Sequence, residues 1–193
     1  MIRVATEADV PAILDLYAPY IINTTYTFEY DVPCRKTFYQ RFYDITAKFP
    51  WLLWEEEGEI LGYAYASLPF ARAAYSWCAE PSVYVRFDSH GKGIGRKLYE
   101  ALEELLKVQG YQVLLALITE ENTGSVKFHE KCGYLYRATL PDCGFKFNRW
   151  LGVIWMEKRI NSVKFPKSFP TPFSVLRQDT QGISDILFNL SLS

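Results

Sequence analysis

The chain has 193 residues, 49% of them hydrophobic and 17% aromatic, which is enough apolar mass to bury the core of one domain. A formal net charge of −1 offers no basic footprint for nucleic acid, and no apolar run approaches the ~20 residues of a membrane span. Cys34, Cys78, Cys132 and Cys143 show no metal-ligand or C-x-x-C spacing, so reduced thiols in a cytoplasmic protein without a metal are expected.

Ile2 to Ala5 reads as a short strand entering a helix rather than a signal peptide. Thr6-Glu7-Ala8-Asp9 has the make-up of a helix start, and Val10, Ile13, Leu14 and Tyr17 recur at helical spacing towards Tyr20 or Ile22. Asn23 to Glu29 reads as loop or extended chain. A second helix is expected from about Cys34 to Ala47, with Phe38, Phe42 and Ile45 on one face. Trp51 to Glu55 and Ile60 to Ala66 flank Glu57-Gly58-Glu59 as a hairpin. Pro69 to Trp77 is a loop, and Val83 to Arg86 a strand.

A helix from Gly93 to about Gln109 carries Ile94, Leu98, Ala101, Leu102 and Leu105 on one stripe and closes at Gly110. Val113 to Ile118 is nearly all apolar and reads as a strand buried on both faces. A short helix follows from Asn122 to Cys132. Tyr134 to Leu140 and Trp150 to Lys158 are expected as strands around a turn at Pro141 to Gly144. From Ile160 the chain changes. Pro166, Pro170 and Pro172 make an extended linker, and Ile183, Ile186, Leu187 and Leu190 then suit either a short docking helix or a mobile end. Residues 1–159 thus form one domain and 160–193 a tail. The element order indicates an α/β (α+β) fold, a mixed central sheet flanked by helices on both faces.

The stretch from Ser82 to Tyr99 organises the rest. It joins a strand to a helix through Gly91-Lys92-Gly93-Ile94-Gly95-Arg96, where the glycines remove Cβ atoms and the helix start leaves N–H groups unpaired. Lys92 and Arg96 add positive charge, so the loop suits a phosphate or pyrophosphate. Neither the Walker ending nor the Gly-x-Gly-x-x-Gly spacing of dinucleotide loops is present.

This stretch resembles the acyl-CoA pyrophosphate loop of the GNAT acetyltransferases, with His90 where that family carries Arg or Gln. Asn-Thr-Thr-x-Thr-Phe-Glu from Asn23, Ala-Tyr-x-Trp-x-Ala-Glu-x-Ser-Val-Tyr-Val from Ala74, Gly-Lys-Gly-Ile-Gly from Gly91 and Phe-His-Glu-Lys-x-Gly-Tyr from Phe128 narrow it. Together they resemble the phosphinothricin and methionine sulfoximine N-acetyltransferase branch, over about Ile2 to Arg159.

The resemblance implies a GNAT fold and an enzyme that moves an acetyl group from acetyl-CoA to the α-amine of a small amino acid, as a homodimer. Backbone N–H groups of Val83, Tyr84 and Val85 would meet the thioester carbonyl, and Gly91, Lys92, Gly93, Ile94, Gly95 and Arg96 the pyrophosphate. Asn122 would meet the pantetheine amides or cap its helix. Glu80 is either a surface carboxylate or, partly buried beside the thioester, the general base. His129 stands where many members carry a tyrosine acid, although a lone helical histidine is often structural. Substrate contacts are implied at Phe28, Glu29, Phe70, Ala71, Arg72, Ala73, Glu80, Pro81 and Ser82, with Arg72 suited to an anionic group. Cys78 lacks a preceding histidine, which disfavours a covalent acetyl-enzyme. Two rival readings are an acetyltransferase for protein N-termini or polyamines and a non-catalytic acyl-CoA sensor.

Overall fold

The computed structural model describes residues 1–178 and 180–192. Seven strands form one sheet in the order β1-β2-β3-β4-β5-β7-β6, where β1 is Ile2–Val4, β2 Trp51–Glu56, β3 Glu59–Ser67, β4 Cys78–Val85, β5 Val113–Thr119, β6 Leu135–Lys146 and β7 Arg149–Arg159. Neighbours run antiparallel except β4 and β5, which are parallel. The expected mixed sheet with helices on both faces is what the chain forms.

Helices α1 (Val10–Asn23) and α2 (Arg35–Thr46) cover one face over β2 to β4. Asp9 accepts from the Thr6 N–H and hydroxyl just ahead of α1, and Arg3 binds the same carboxylate at 2.7 Å. The core on this face is aromatic. Trp51 stacks on Tyr65 at 4.4 Å and meets Phe38 and Phe42, while Tyr84 is edge-on to Tyr17 and Tyr20. Burying such large rings is worth about 1.5–3 kcal/mol each, and it fixes α1 beside β4.

Helix α3 (Ile94–Gln109) covers the other face with Leu98, Leu102, Leu105 and Leu106 buried against Leu52, Ala64, Leu114 and Ala116. Its cap, Gly110, takes φ +98° as a left-handed helix end requires. Helix α4 (Thr123–Lys131) follows β5. The tail continues as α5 (Phe173–Leu176) and α6 (Thr180–Leu192), and Phe173 and Leu187 are buried in the α3-side core. The Phe173 N–H donates to Lys48 O at 2.9 Å, Trp77 stacks on Phe169, and the Ile2 N–H donates to Ser191 Oγ at 3.1 Å. The side chain of Leu190, with Asp179 and Ser193, lies outside the described residues.

Three local expectations need correction. The strand expected from Val83 begins at Cys78, so Glu80 and Pro81 lie inside β4 and not before it. The final hairpin turns at Phe147 and Asn148, both with positive φ (51° and 59°). Pro141 to Gly144 is instead a register shift within β6, an irregularity built from the same residue types as a turn. Finally, β5 is not buried on both faces. Leu114, Ala116 and Ile118 face α3, whereas Leu117 is 40% exposed, because α1 and α2 pack over β2 to β4.

Candidate active site

The two parallel strands part where the chemistry would sit. β4 and β5 pair only at Cys78–Val113 and Ala79–Leu114, whereas β4 stays paired to β3 up to Val85. Pro81, with no N–H to offer a neighbour, falls just past the last pair. The strands diverge around a cleft of about 100 Å³. It is lined by Glu80 to Tyr84 from β4, Ala116 to Thr119 from β5, and Asn122, Ser125 and His129 around α4. Tyr20, Tyr26 and Tyr99 close its sides. Open α/β sheets bind ligands at such a carboxyl edge.

The glycine-rich loop lies beyond the end of β4. Gly91 and Gly93 take φ of +79° and +82°, which suits glycine and leaves no Cβ over the start of α3. Gly93 is the N-cap and has no side chain, so the N–H groups of Ile94, Gly95 and Arg96 point outward uncapped. Gly95 is different. A Cβ there would make only ordinary contact with Val83, Val85 and Phe128. Lys92 is exposed at the loop, and Arg96 pairs with Glu100 at 2.8 Å on its rim. Arg86 is taken up by Asp88 and Glu59. His90 turns away from the loop, its Nε2 2.9 Å from both Tyr20 Oη and Val85 O, and so braces the end of β4 against α1.

Glu80 is half-buried on the cleft wall, and burial raises its carboxyl above the usual range. His129 is 5% exposed. Burial lowers its pKa to about 4, so the ring is neutral at physiological pH. Ser125 O lies 2.8 Å from Nδ1, which therefore carries the proton, and Nε2 faces the Tyr99 hydroxyl at 2.8 Å. That hydroxyl also lies 3.2 Å from Pro81 O on the cleft floor. Asn122 caps α4, its Oδ1 accepting from the Ser125 N–H at 3.0 Å. Burial raises the Cys78 thiol, a setting that keeps it protonated.

The remaining candidates lie apart from this lining. Glu29 is held by Arg41 at 2.6 and 3.1 Å and by the Tyr17 hydroxyl at 2.9 Å. Phe28 packs on Gly144 of β6. Phe70 stacks on Trp155 and meets Tyr75 at a tilt at the start of the loop holding Ala71, Arg72 and Ala73, and Arg72 is exposed. Ser82 joins Glu80 and Pro81 in the cleft and lies directly across from Tyr65 of β3. Tyr20, Tyr26, Tyr99 and Ser125 were missed by sequence reasoning. Tyr99, a polar-tipped ring inside the apolar stripe of α3, was the one with a legible signal.

Among the described residues no group of three or more His, Cys, Asp or Glu side chains is arranged to hold a metal, and no helix is long and apolar enough to cross a membrane.

Comparison with known proteins gives the family and the fold. The family described as Acetyltransferase (GNAT) domain matches residues 2–155. The chain is 34% identical over 171 residues to a phosphinothricin N-acetyltransferase of Alcaligenes faecalis, covering 83% of each. It is 35% identical over 168 residues to an L-methionine sulfoximine/L-methionine sulfone acetyltransferase of Pseudomonas aeruginosa, covering 84% of this chain and 96% of that protein. Its fold superposes with a TM-score of 0.82 on a phosphinothricin acetyltransferase from Sinorhizobium meliloti solved in complex with acetyl-CoA. That match has 29% identity and covers 89% and 92% of the two chains.

Proposed function

For a chain that belongs to the GNAT acetyltransferase family, we propose N-acetylation of the α-amine of a small amino acid or analogue, close in kind to phosphinothricin or methionine sulfoximine. The observation that carries this reading is the parting of β4 from β5 after Ala79. It leaves the β5-facing backbone N–H groups of the Val83 to Val85 stretch without a ladder partner beside an uncapped helix start, a donor set that fits a thioester carbonyl and a diphosphate. Acetyl-CoA supplies the activated acetyl group.

The protein's own groups then have distinct tasks. Gly91 to Arg96 seat the diphosphate, with Lys92 and Arg96 adding charge, and Asn122 offers its amide N–H₂ along the cleft while Oδ1 caps α4. Glu80, its carboxyl raised by burial, takes the proton of the attacking ammonium. His129, neutral at working pH, acts as half of an acid pair. It fixes the Tyr99 hydroxyl, which hands the departing thiolate its proton. Attack is direct, in keeping with a protonated Cys78.

Phe28, Glu29, Pro81, Ser82 and the Phe70 to Ala73 loop, with Arg72 for an anionic group, form the acceptor side. The open face around Leu117, Leu135, Leu140 and Trp155 supports a second copy of the chain as its cover, and a cytoplasmic homodimer is proposed. Residues 1–159 are proposed as the catalytic domain.

Release of free thiol from acetyl-CoA, measured across a panel of amino acids, polyamines and peptides, tests the reading. Turnover confined to small amino acids is expected. Binding of CoA with no thiol release on any amine would replace the enzyme by a sensor.

A further inference from the structure

Behind the cleft a buried polar chain runs on from Tyr99, and acyl transfer, as described so far, has no use for its members beyond that residue. Tyr99, Tyr134 and Glu103 are 1%, 2% and 5% exposed. At one end the Tyr99 hydroxyl meets His129 Nε2. At the other, Glu103 Oε2 accepts from the ammonium of Lys158, a partly exposed residue of β7. Between them stand the Tyr134 hydroxyl and Glu103 Oε1, both buried and neither with a hydrogen-bond partner. The Tyr134 hydroxyl still bears on both neighbours, favouring the ionised forms of Tyr99 and of Glu103. Its ring stands edge-on to His129 at 5.1 Å and 6.0 Å from that of Tyr99, and the Lys158 ammonium lies 5.8 Å over it. A buried polar atom left without a partner costs about 1–3 kcal/mol, so two in one place call for a reason.

The reaction provides one. A Tyr99 hydroxyl that gave up its proton would become a buried tyrosinate, the form that burial opposes most strongly. A second proton has to follow from behind. We propose that Tyr134 and Glu103 form a proton relay that refills Tyr99 from Lys158 as the thiol departs, an inference that rests on the acid role of the Tyr99–His129 pair.

The balance closes. The thioester C–S bond breaks with its electron pair left on sulfur, and sulfur takes the Tyr99 proton. Tyr99 takes that of Tyr134, and Tyr134 is refilled through Glu103, whose carboxylate first takes a proton from the Lys158 ammonium, which solvent restores. The acceptor's protons leave on the other side, through Glu80 and water, as the C–N bond forms. Counted from the ammonium form of the acceptor, each turnover releases one proton.

Tyr134→Phe keeps the buried ring and its contacts with His129 and Tyr99, so the fold should be kept. We expect kcat to fall roughly tenfold, part of the ~10²–10⁴ that a proton-transfer group contributes, with both KM values unchanged within about twofold. The solvent isotope effect on kcat in D₂O should also differ from that of the parent enzyme. Glu103→Gln, which keeps the shape and an acceptor for Lys158, should show the same pattern. Parental kcat and isotope effect in both variants would overturn the relay. Tyr99→Phe and His129→Gln separate the two ideas. If they slow turnover while Tyr134→Phe and Glu103→Gln are silent, the relay alone fails. If Tyr99→Phe and His129→Gln are themselves silent, the acid reading fails and the relay with it.

Discussion

The Phe28 ring fills the position that a side chain on Gly144 would occupy. The contact ties the loop after α1 to the irregular middle of β6. A methyl group at position 144 has to displace the ring. Gly144→Ala should therefore cost about 1–3 kcal/mol of stability, the usual range for overpacking, and raise the KM for the acceptor while leaving that for acetyl-CoA unchanged. Thermal melting and steady-state kinetics with each substrate varied in turn check both parts.

Glu80 makes a prediction with a definite sign. Its carboxyl is raised by burial, so the folded protein holds that proton at pH values where the unfolded chain has lost it. The stability this costs is absent at low pH and grows as pH climbs through the raised value. Glu80→Gln should melt higher than the parent at neutral pH and level with it in acid. The same variant should lose about 10²–10⁴ in kcat and also the acid limb of the pH–rate profile. A parental rate at neutral pH would remove Glu80 from the mechanism.

His129 acts on stability in the opposite direction. Its pKa falls from 6.5 to about 4 on folding because burial penalises the cation. The unfolded chain therefore binds more protons in that window, and stability is lost as pH drops through it. The full effect is about 3 kcal/mol, at 1.36 kcal/mol per unit. Urea denaturation at a series of pH values should show the decline, and His129→Gln should flatten it. The other histidine, His90, is exposed.

Phe173 probes the tail. It is 1% exposed, set among the side chains that α3 presents to the sheet, and its N–H is bonded to Lys48 O. Phe173→Ala should cost about 3–5 kcal/mol, as for other buried aromatics. A chain ending at Arg159 should expose that apolar surface and aggregate. Equal melting temperatures for the parent and Phe173→Ala would show that the tail is dispensable.

The sequence reading succeeded where one physical signal dominated. The helical stripe from Ile94 to Leu105, its glycine stop and the glycine-rich loop were each legible because local chemistry alone decides them. It went wrong where tertiary context decides. Pro141 to Gly144 has turn chemistry yet lies inside a strand, because β7 pairs on both sides of it. Leu117 looks like core, but whether it is covered depends on how far α1 and α2 extend. Tyr26 reaches the cleft only through the path of its loop, and the Tyr99–His129 contact joins helices 30 residues apart in sequence. No spacing rule encodes either.

The first strand and the final helix are neighbours, joined by the bond from the Ile2 N–H to Ser191 Oγ. During synthesis β2 can pair with β1 long before α6 emerges, so the contact of Ile2 with Ser191 closes late and Leu187 seals the α3 side only after it is made. A folding intermediate that lacks the α6 contacts keeps part of the α3-side apolar surface open to chaperones and proteases.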